Sequence, residues 1–364
     1  MIEKGHSEKD HEFTGNIYIF QAFDIGDEID LEALEKSGIL IQRPLTLSKY
    51  FKNYHTPLAV ELPHPHTTSQ CQSVKIHNFG AVSLIYKIPF RDTLENIRKE
   101  LDELSNEYQE QSVEDAHSLF NKIKPFIKRP KFFQTKSDYV VIQVDTDPAL
   151  FPSITDLRNK YGSIIASMVR FETATLSEVQ KNEILEDAIG YFRGDFIVID
   201  TGAAFVYDEE YEETLDFFEF ANIQHLELRF FDRLLDQYLN LIYEEKVKKV
   251  SPRSFIPFIG TFSRNPVDEL GKLRVDISVI TERLEGSIKI AGEPYFSELY
   301  ETLVQKLDLK SLNASIEKKL SIIQDIRSVF QHKADAARAD LLEVLIILLI
   351  FIELIVGTLH YFKP

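Results

Sequence analysis

The sequence predicts an α+β protein: a mixed α+β globular head, a helical hairpin or coiled-coil stalk, and a single C-terminal transmembrane helix. Three observations carry this expectation. Short runs rich in β-branched and aromatic residues mix with amphipathic stretches up to residue 208, without a regular strand–helix–strand alternation. From 209 to 333 apolar residues recur at spacings of three and four. Finally, 341–359 reads LLEVLIILLIFIELIVGTL and is almost wholly apolar. The expected division is a flexible N-terminus at 1–15, a head at 16–208, a helical stalk region at 209–333, and an anchor with a short tail at 334–364.

In the head, the run Asn16-Ile17-Tyr18-Ile19-Phe20-Gln21-Ala22-Phe23 predicts a strand, and a short helix follows around 31–36. Residues 74–88, interrupted by Asn78-Phe79-Gly80, read as a strand or hairpin. Between 91 and 124 the chain is charged and periodic, with Leu94, Ile97, Leu101 and Leu104 on one helical face. Residues 139–144 form a strand closed by the turn-forming Asp145-Thr146-Asp147-Pro148. From 150 to 210 the pattern is helix, helix, hairpin, with a helix at 176–191 and strands at 195–200 and 203–207 around Thr201-Gly202.

The stalk region opens with a helix over 209–249 whose apolar face includes Phe220, Ile223, Phe230, Leu234, Tyr238 and Ile242. After a break at 251–266, Leu270, Leu273, Ile277, Ile280, Leu284 and Ile288 repeat as in a coiled coil or helical hairpin. Gly292 and Pro294 interrupt again. A third helix carries Leu309, Leu312, Ile316, Leu320, Ile323, Ile326 and Phe330 along one side.

As a helix, 341–359 would rise roughly 28 Å, close to the ~30 Å hydrocarbon core of a bilayer. Fifteen of its residues are Leu, Ile, Val or Phe, favouring insertion by about 4–9 kcal/mol. Glu353, deep in the run, opposes that by about 3 kcal/mol. Arg327, Lys333 and Arg338 precede the run and Lys363 follows it. That bias places the bulk of the protein on the cytoplasmic or mitochondrial-matrix side of a single-pass, tail-anchored membrane protein. The first residues lack the apolar core of a signal peptide. Glu343 and Glu353 are candidates for holding an assembly of such helices together, because a carboxyl in an apolar setting finds its partner on a neighbouring helix.

Composition narrows the chemistry. Apolar residues at 44% and charged residues at 27% describe a packed protein. A formal charge of −17, from 58 acids against 41 bases, repels nucleic acid on average. One cysteine, Cys71, excludes an internal disulfide framework. His64, His66 and Cys71, with His55 and His77 nearby, match no standard zinc spacing, so neither a metal nor another cofactor is expected. No Gly-x-Ser-x-Gly elbow is present. Asp145, Asp147, Asp195 and Asp200 stand at strand ends, where carboxylates act as acids, bases or metal ligands but more often form turns. Two acid-free stretches stand out. One carries Lys122, Lys124, Lys128, Arg129, Lys131 and Lys136 among Phe126, Phe132 and Phe133; the other carries Lys248, Lys249 and Arg253. The first is a candidate docking patch for anionic headgroups, RNA phosphates or a protein.

Over roughly the last 90 residues the chain resembles the Rmd/YagE-type family, which includes the "required for meiotic nuclear division" proteins. The residues that carry the resemblance are Pro294-Tyr295-Phe296, Glu298-Leu299-Tyr300, Leu312-Asn313, Lys319-Leu320, Arg338, and the apolar helix with Glu343 and Glu353. Upstream, Ile76-His77-Asn78-Phe79-Gly80-Ala81-Val82 looks like that family's early Phe-Gly strand. Val344 stands where the family has tryptophan, and Ser297 where it commonly has an aromatic residue. The resemblance implies a membrane-anchored oligomer without an established enzymatic activity, whose eukaryotic relatives support mitochondrial translation.

The expected function is therefore a non-catalytic, membrane-anchored oligomeric scaffold that presents its head to a partner. Its expected partners are membrane lipid through the C-terminal helix, copies of itself, and a protein or ribosome/RNA partner; no small-molecule substrate is evident. The alternatives are a metal-dependent hydrolase or nuclease built on the strand-end aspartates, and an oligomer that buries the C-terminal helix between subunits.

Overall fold

A computed structural model describes residues 11–45, 56–63, 70–132, 136–151, 153–190, 194–247, 275, 277 and 293–361. Its centre is a seven-stranded sheet in the order β3-β4-β5-β1-β7-β9-β8. The strands are β1 (Phe13–Asp24), β3 (Leu58–Val60), β4 (Cys71–Ile76), β5 (Ala81–Asp92), β7 (Lys136–Val144), β8 (Phe196–Ile199) and β9 (Ala203–Tyr207). All pair antiparallel except β7 and β9, which run parallel. A two-stranded ribbon joins β2 (Glu28–Ile29) to β6 (Ile127–Lys128). The α+β class read from the sequence is the class observed.

The strand β1 is buried along almost its whole length because helices cover both sheet faces. One face carries Ile17, Ile19, Phe23, Val82, Leu84, Tyr86, Val140 and Ile142. It packs against α2 (Leu94–Ile123), α3 (Ile154–Val169) and α4 (Glu178–Glu186) in a single apolar core. Thr93, Ser153 and Ser177 cap these helices, each accepting a backbone N–H three residues on. Asp30 does the same for the short α1 (Leu31–Ser37), which ends on the left-handed Gly38.

The opposite face is covered by α5 (Tyr211–Val247), and α6 (Pro294–Lys306) packs on the outer side of α5. The Phe217 and Phe296 rings stack at 4.9 Å, and the Tyr300 hydroxyl donates to Gln224 at 2.7 Å. Because α5 lies between sheet and helix, it is buried nearly all round from Phe217 to Leu228. The last helix is α7 (Leu309–Tyr361). By contact density one unit comprises 1–230 with 280–313, and a second comprises 231–279 with 314–364.

Glycine is required at one crossing that positions the site described below. Gly80 (φ 101°) closes the turn between β4 and β5, where a Cβ would stand 1.8 Å from the Gly26 carbonyl oxygen. The Ile25 amide donates to the Gly80 carbonyl at 2.9 Å, pinning the end of β1 beside that turn.

The expected membrane anchor is overturned. Among the described residues, no helix is long and apolar enough to cross a membrane. The apolar run of α7 is interrupted by carboxylates, which oppose insertion. They are Glu343 and Glu353. The transmembrane helix, the tail-anchored layout and the single-pass location with its bulk on the cytoplasmic or matrix side are corrected accordingly. The repeat at Leu270, Leu273, Ile280, Leu284 and Ile288 lies outside the described residues, as do 248–264.

Candidate functional site: a buried polar seam

The two sheet faces differ in chemistry. On the α5 side the register sets Lys75 of β4 beside Ser83 of β5, Ser83 beside Ala22 of β1, and Ala22 beside Ser137 of β7. One row further lie His77 and Asp24. The facing side of α5 presents Asp216, Glu219, Asn222 and His225 at successive spacings of three, followed by Glu227. Lys75, His77, Ser83, Asp24, Ser137, Glu219, Asn222 and Glu227 are all buried. This concentration of polar groups inside unit 1 is the strongest candidate for a functional site.

Its geometry is specific. The Lys75 ammonium lies 2.5 Å from Glu219 and 3.4 Å from Asp216. Ser137 Oγ and His225 Nδ1 share a hydrogen bond of 2.8 Å, while the Asn222 amide donates to the Ser137 carbonyl at 3.2 Å. A small apolar contact of Ala22, Ala81, Ile223 and Leu226, with Phe79 against it, fills the seam between these polar groups.

Burial sets the charges. It works against the Lys75 ammonium, but Glu219 and then Asp216 outweigh it and hold Lys75 above its usual range. His77 is pushed down to about 3 by burial and, secondarily, by the Lys75 charge. His225 falls to about 4 through burial and Arg229, with Asp308 opposing. Asp24 is pushed up to about 8, chiefly by burial. Glu227 rises well above the carboxylate range through burial and the charge of Asp24. At neutral pH the seam therefore holds one ion-paired lysine, two neutral histidines and two carboxyls that retain protons.

The residues singled out from the sequence lie elsewhere. Glu343 and Glu353 sit on α7 among exposed Leu, Ile, Val and Phe side chains. In the basic segment Lys128 pairs with Glu28 at 3.3 Å and Arg129 pairs with Asp27. Lys124 lies over the Phe120 ring at 5.9 Å, Lys136 donates to Gln109 at 3.2 Å, and Lys122 is half-buried on α2. Lys131 acts on Asp24 as a neighbouring cation. A groove of about 530 Å³ beside this segment is lined by Glu28, Asp30, Asn78, Phe126 and Lys128 among others. Its charges are engaged, since Glu28 pairs with Lys128 and Asp30 caps α1.

The strand-end aspartates are divided by the register. Asp145, Asp147 and Asp195 come to one end of the sheet, and Asp200 lies at the other. There Asp200 pairs with Arg170 and accepts the Thr201 amide at 2.7 Å. His55, His64 and His66 lie outside the described residues. Among the described residues no group of three His, Cys, Asp or Glu is placed to hold a metal ion. The sequence carries a signal for the seam that its apolar periodicity masks: Lys75 and His77 fall two apart in a strand, and Asp216, Glu219, Asn222 and His225 recur every three residues.

Residues 14–213, more than half of the chain, match the family described as "Uncharacterized protein MJ0711, N-terminal domain", and the chain belongs to that family. It is similar to the protein of that name from Methanocaldococcus jannaschii, 27% identical over an alignment of 248 residues that covers 66% of this chain and 71% of the relative. No solved structure matches. The expected kinship with the Rmd/YagE-type family is corrected by this match, and its implications for mitochondrial translation go with it. The features behind it are general helix chemistry: Pro294 occupies the first turn of α6, and Tyr295 and Phe296 are core residues packed behind it.

Proposed function

We propose that this member of the MJ0711 family is a non-catalytic scaffold that assembles with copies of itself through the C-terminal part of α7 and offers its α+β head to a protein partner. One observation carries the reading. Thirteen large apolar side chains between Leu342 and Val356 are each 41% to 63% exposed, on every side of the helix. A helix that is apolar all round needs neighbours all round, and burying each such side chain contributes about 1.5–3 kcal/mol. Copies of the same helix supply those neighbours, with the Glu353 carboxyl hydrogen-bonding between them.

The stalk belongs to the same proposal. In unit 2 the Lys319 ammonium lies 2.7 Å from Asp232 and 2.8 Å from Asp236, and Ser315 donates to Asp232 at 2.7 Å. These contacts join α7 to α5, while Ile316, Ile323 and Ile326 are buried at spacings of seven and three, supporting a paired-helix stalk. The docking face of the head is the basic segment. Its exposed ion pairs contribute at most about 1 kcal/mol each, so a partner's carboxylates can replace Asp27 and Glu28.

The test is the mass of the full chain and of a version ending at Ala339, measured by size-exclusion chromatography with light scattering. The full chain should be an oligomer and the truncated chain a monomer. Replacement E353L should weaken assembly about tenfold on dilution. Equal masses for the full and truncated chains refute self-assembly through α7.

A further inference from the structure

Glu353 is the residue of α7 that an apolar contact alone does not accommodate. Nine apolar residues, 344–352, precede it, and Leu354, Ile355 and Val356 follow. On its own helix the positions three and four away are Leu349, Ile350, Val356 and Gly357, so no side chain there can share its charge. The nearest polar side chain, Thr358, donates its hydroxyl to the Leu354 and Ile355 carbonyls at 2.9 and 2.8 Å. Glu343 lies at the polar end of the run, one turn from Asp340, and His360 stands two turns beyond Glu353. Residues 342–358 are exposed on every side, so in a single chain Glu353 faces water.

Assembly, on the reading given above that copies join through α7, changes that setting. The thirteen exposed apolar side chains from Leu342 to Val356 make a surface on the order of 1,000 Å², well beyond the ~300–600 Å² patch of an ordinary monomer. That area is comparable with the ~800 Å² that each partner gives to a stable interface. A second copy is also the occupant that answers the carboxyl. A protonated carboxyl both donates and accepts, so two identical groups close a pair with no other residue type. Between 339 and 362 there is no lysine or arginine; the titratable side chains that a copy's apolar run brings are Glu343, Glu353 and His360. Ionised carboxylates enclosed together among Leu, Ile, Val and Phe are strongly unfavourable, and such groups take up protons instead.

We propose that assembly through α7 is proton-linked: copies join with uptake of protons from solvent at Glu353, whose carboxyls then pair across the contact. A group that is protonated in the assembly and ionised in the free chain favours assembly at low pH and opposes it as pH rises. Each proton taken up lowers the association constant about tenfold per pH unit, wherever the free carboxylate is ionised. The oligomer is therefore tight in mild acid and loosens toward alkaline pH. Glu343, next to the polar residues that precede the run, stays hydrated and adds little to this linkage.

The experiment is sedimentation of the full chain from pH 5 to 9 at constant ionic strength, for wild type, E353Q and E343Q. The wild-type dissociation constant should rise at least tenfold across this range. E353Q, whose amide also donates and accepts but has no proton to lose, should hold its constant within about threefold. E343Q should keep the wild-type slope. The buried seam titrates alike in all three proteins, so the difference between wild type and E353Q reports Glu353 alone. A wild-type constant that does not change with pH, or an equal rise in E353Q, overturns the proton linkage and leaves self-assembly standing. A chain that is monomeric at every pH overturns both.

Discussion

Lys75 is the residue on which the seam turns. Its ammonium is nearly inaccessible and is satisfied by carboxylates that arrive from a helix 141 and 144 positions away in sequence. A buried pair broken on one side leaves an uncompensated charge, at a cost of about 3–5 kcal/mol, whereas replacing both partners by apolar groups is often neutral. K75M should therefore destabilise the chain by several kcal/mol in urea unfolding, and K75M with E219L should recover most of that loss. Equal destabilisation in the single and double variants would mean the pair is not coupled. At this scale the sequence was least informative: a lysine and a histidine inside an apolar strand indicate a polar lining, but not which helix supplies the acids.

At the scale of elements, α5 and the sheet face beneath it form a titrating layer. His77 and His225 have folded-state values of about 3 and 4, below the ordinary 6.5. Their contribution to stability is present above 6.5 and is lost as pH falls toward those values. Asp24 and Glu227 act in the opposite sense. Their values are raised, so their contribution is present below about 4 and is lost as pH rises, for Asp24 toward about 8. Between about pH 4.5 and 6.5 the slopes cancel; above 6.5 the carboxyls act alone, at about 1.4 kcal/mol per pH unit per proton. Unfolding free energy at constant ionic strength should be level across the first window and fall by at least about 2 kcal/mol toward pH 8, with E227Q reducing the fall. A profile rising from pH 6.5 to 8 would contradict this assignment of charge. Elements whose apolar period is regular were legible in advance: the strand at 139–144, the amphipathic 91–124 and the hairpin around Thr201-Gly202 all form. The three-residue β3 and the two-residue β2 and β6 carry too little pattern to be seen, and the parallel pairing of β7 with β9 is a tertiary choice that local residues do not encode.

At the scale of the whole molecule, unit 1 is discontinuous, because 280–313 returns to it after the chain has left. The Tyr295 hydroxyl donates to Asp208 at 2.9 Å, Phe296 stacks on Phe217, and Leu299 and Leu303 are fully buried. A chain ending at Phe230 would leave the outer side of α5 bare. It should lose cooperative unfolding and bind a hydrophobic dye, and a separate 293–313 peptide should restore it; full stability without the peptide would show that α6 is dispensable. The terminal glutamate-bearing helix was legible as an anomaly of composition, yet its placement was not, since an apolar run alone does not name what covers it. The sheet order has one more consequence. Its longest strands, β1 and β5, are interior, and its borders are β3 and β8, three and four residues long. Such short borders present few open backbone groups, so they make a poor template for adding a strand from another molecule. Growth by sheet extension is thus blunted at both rims of the described sheet.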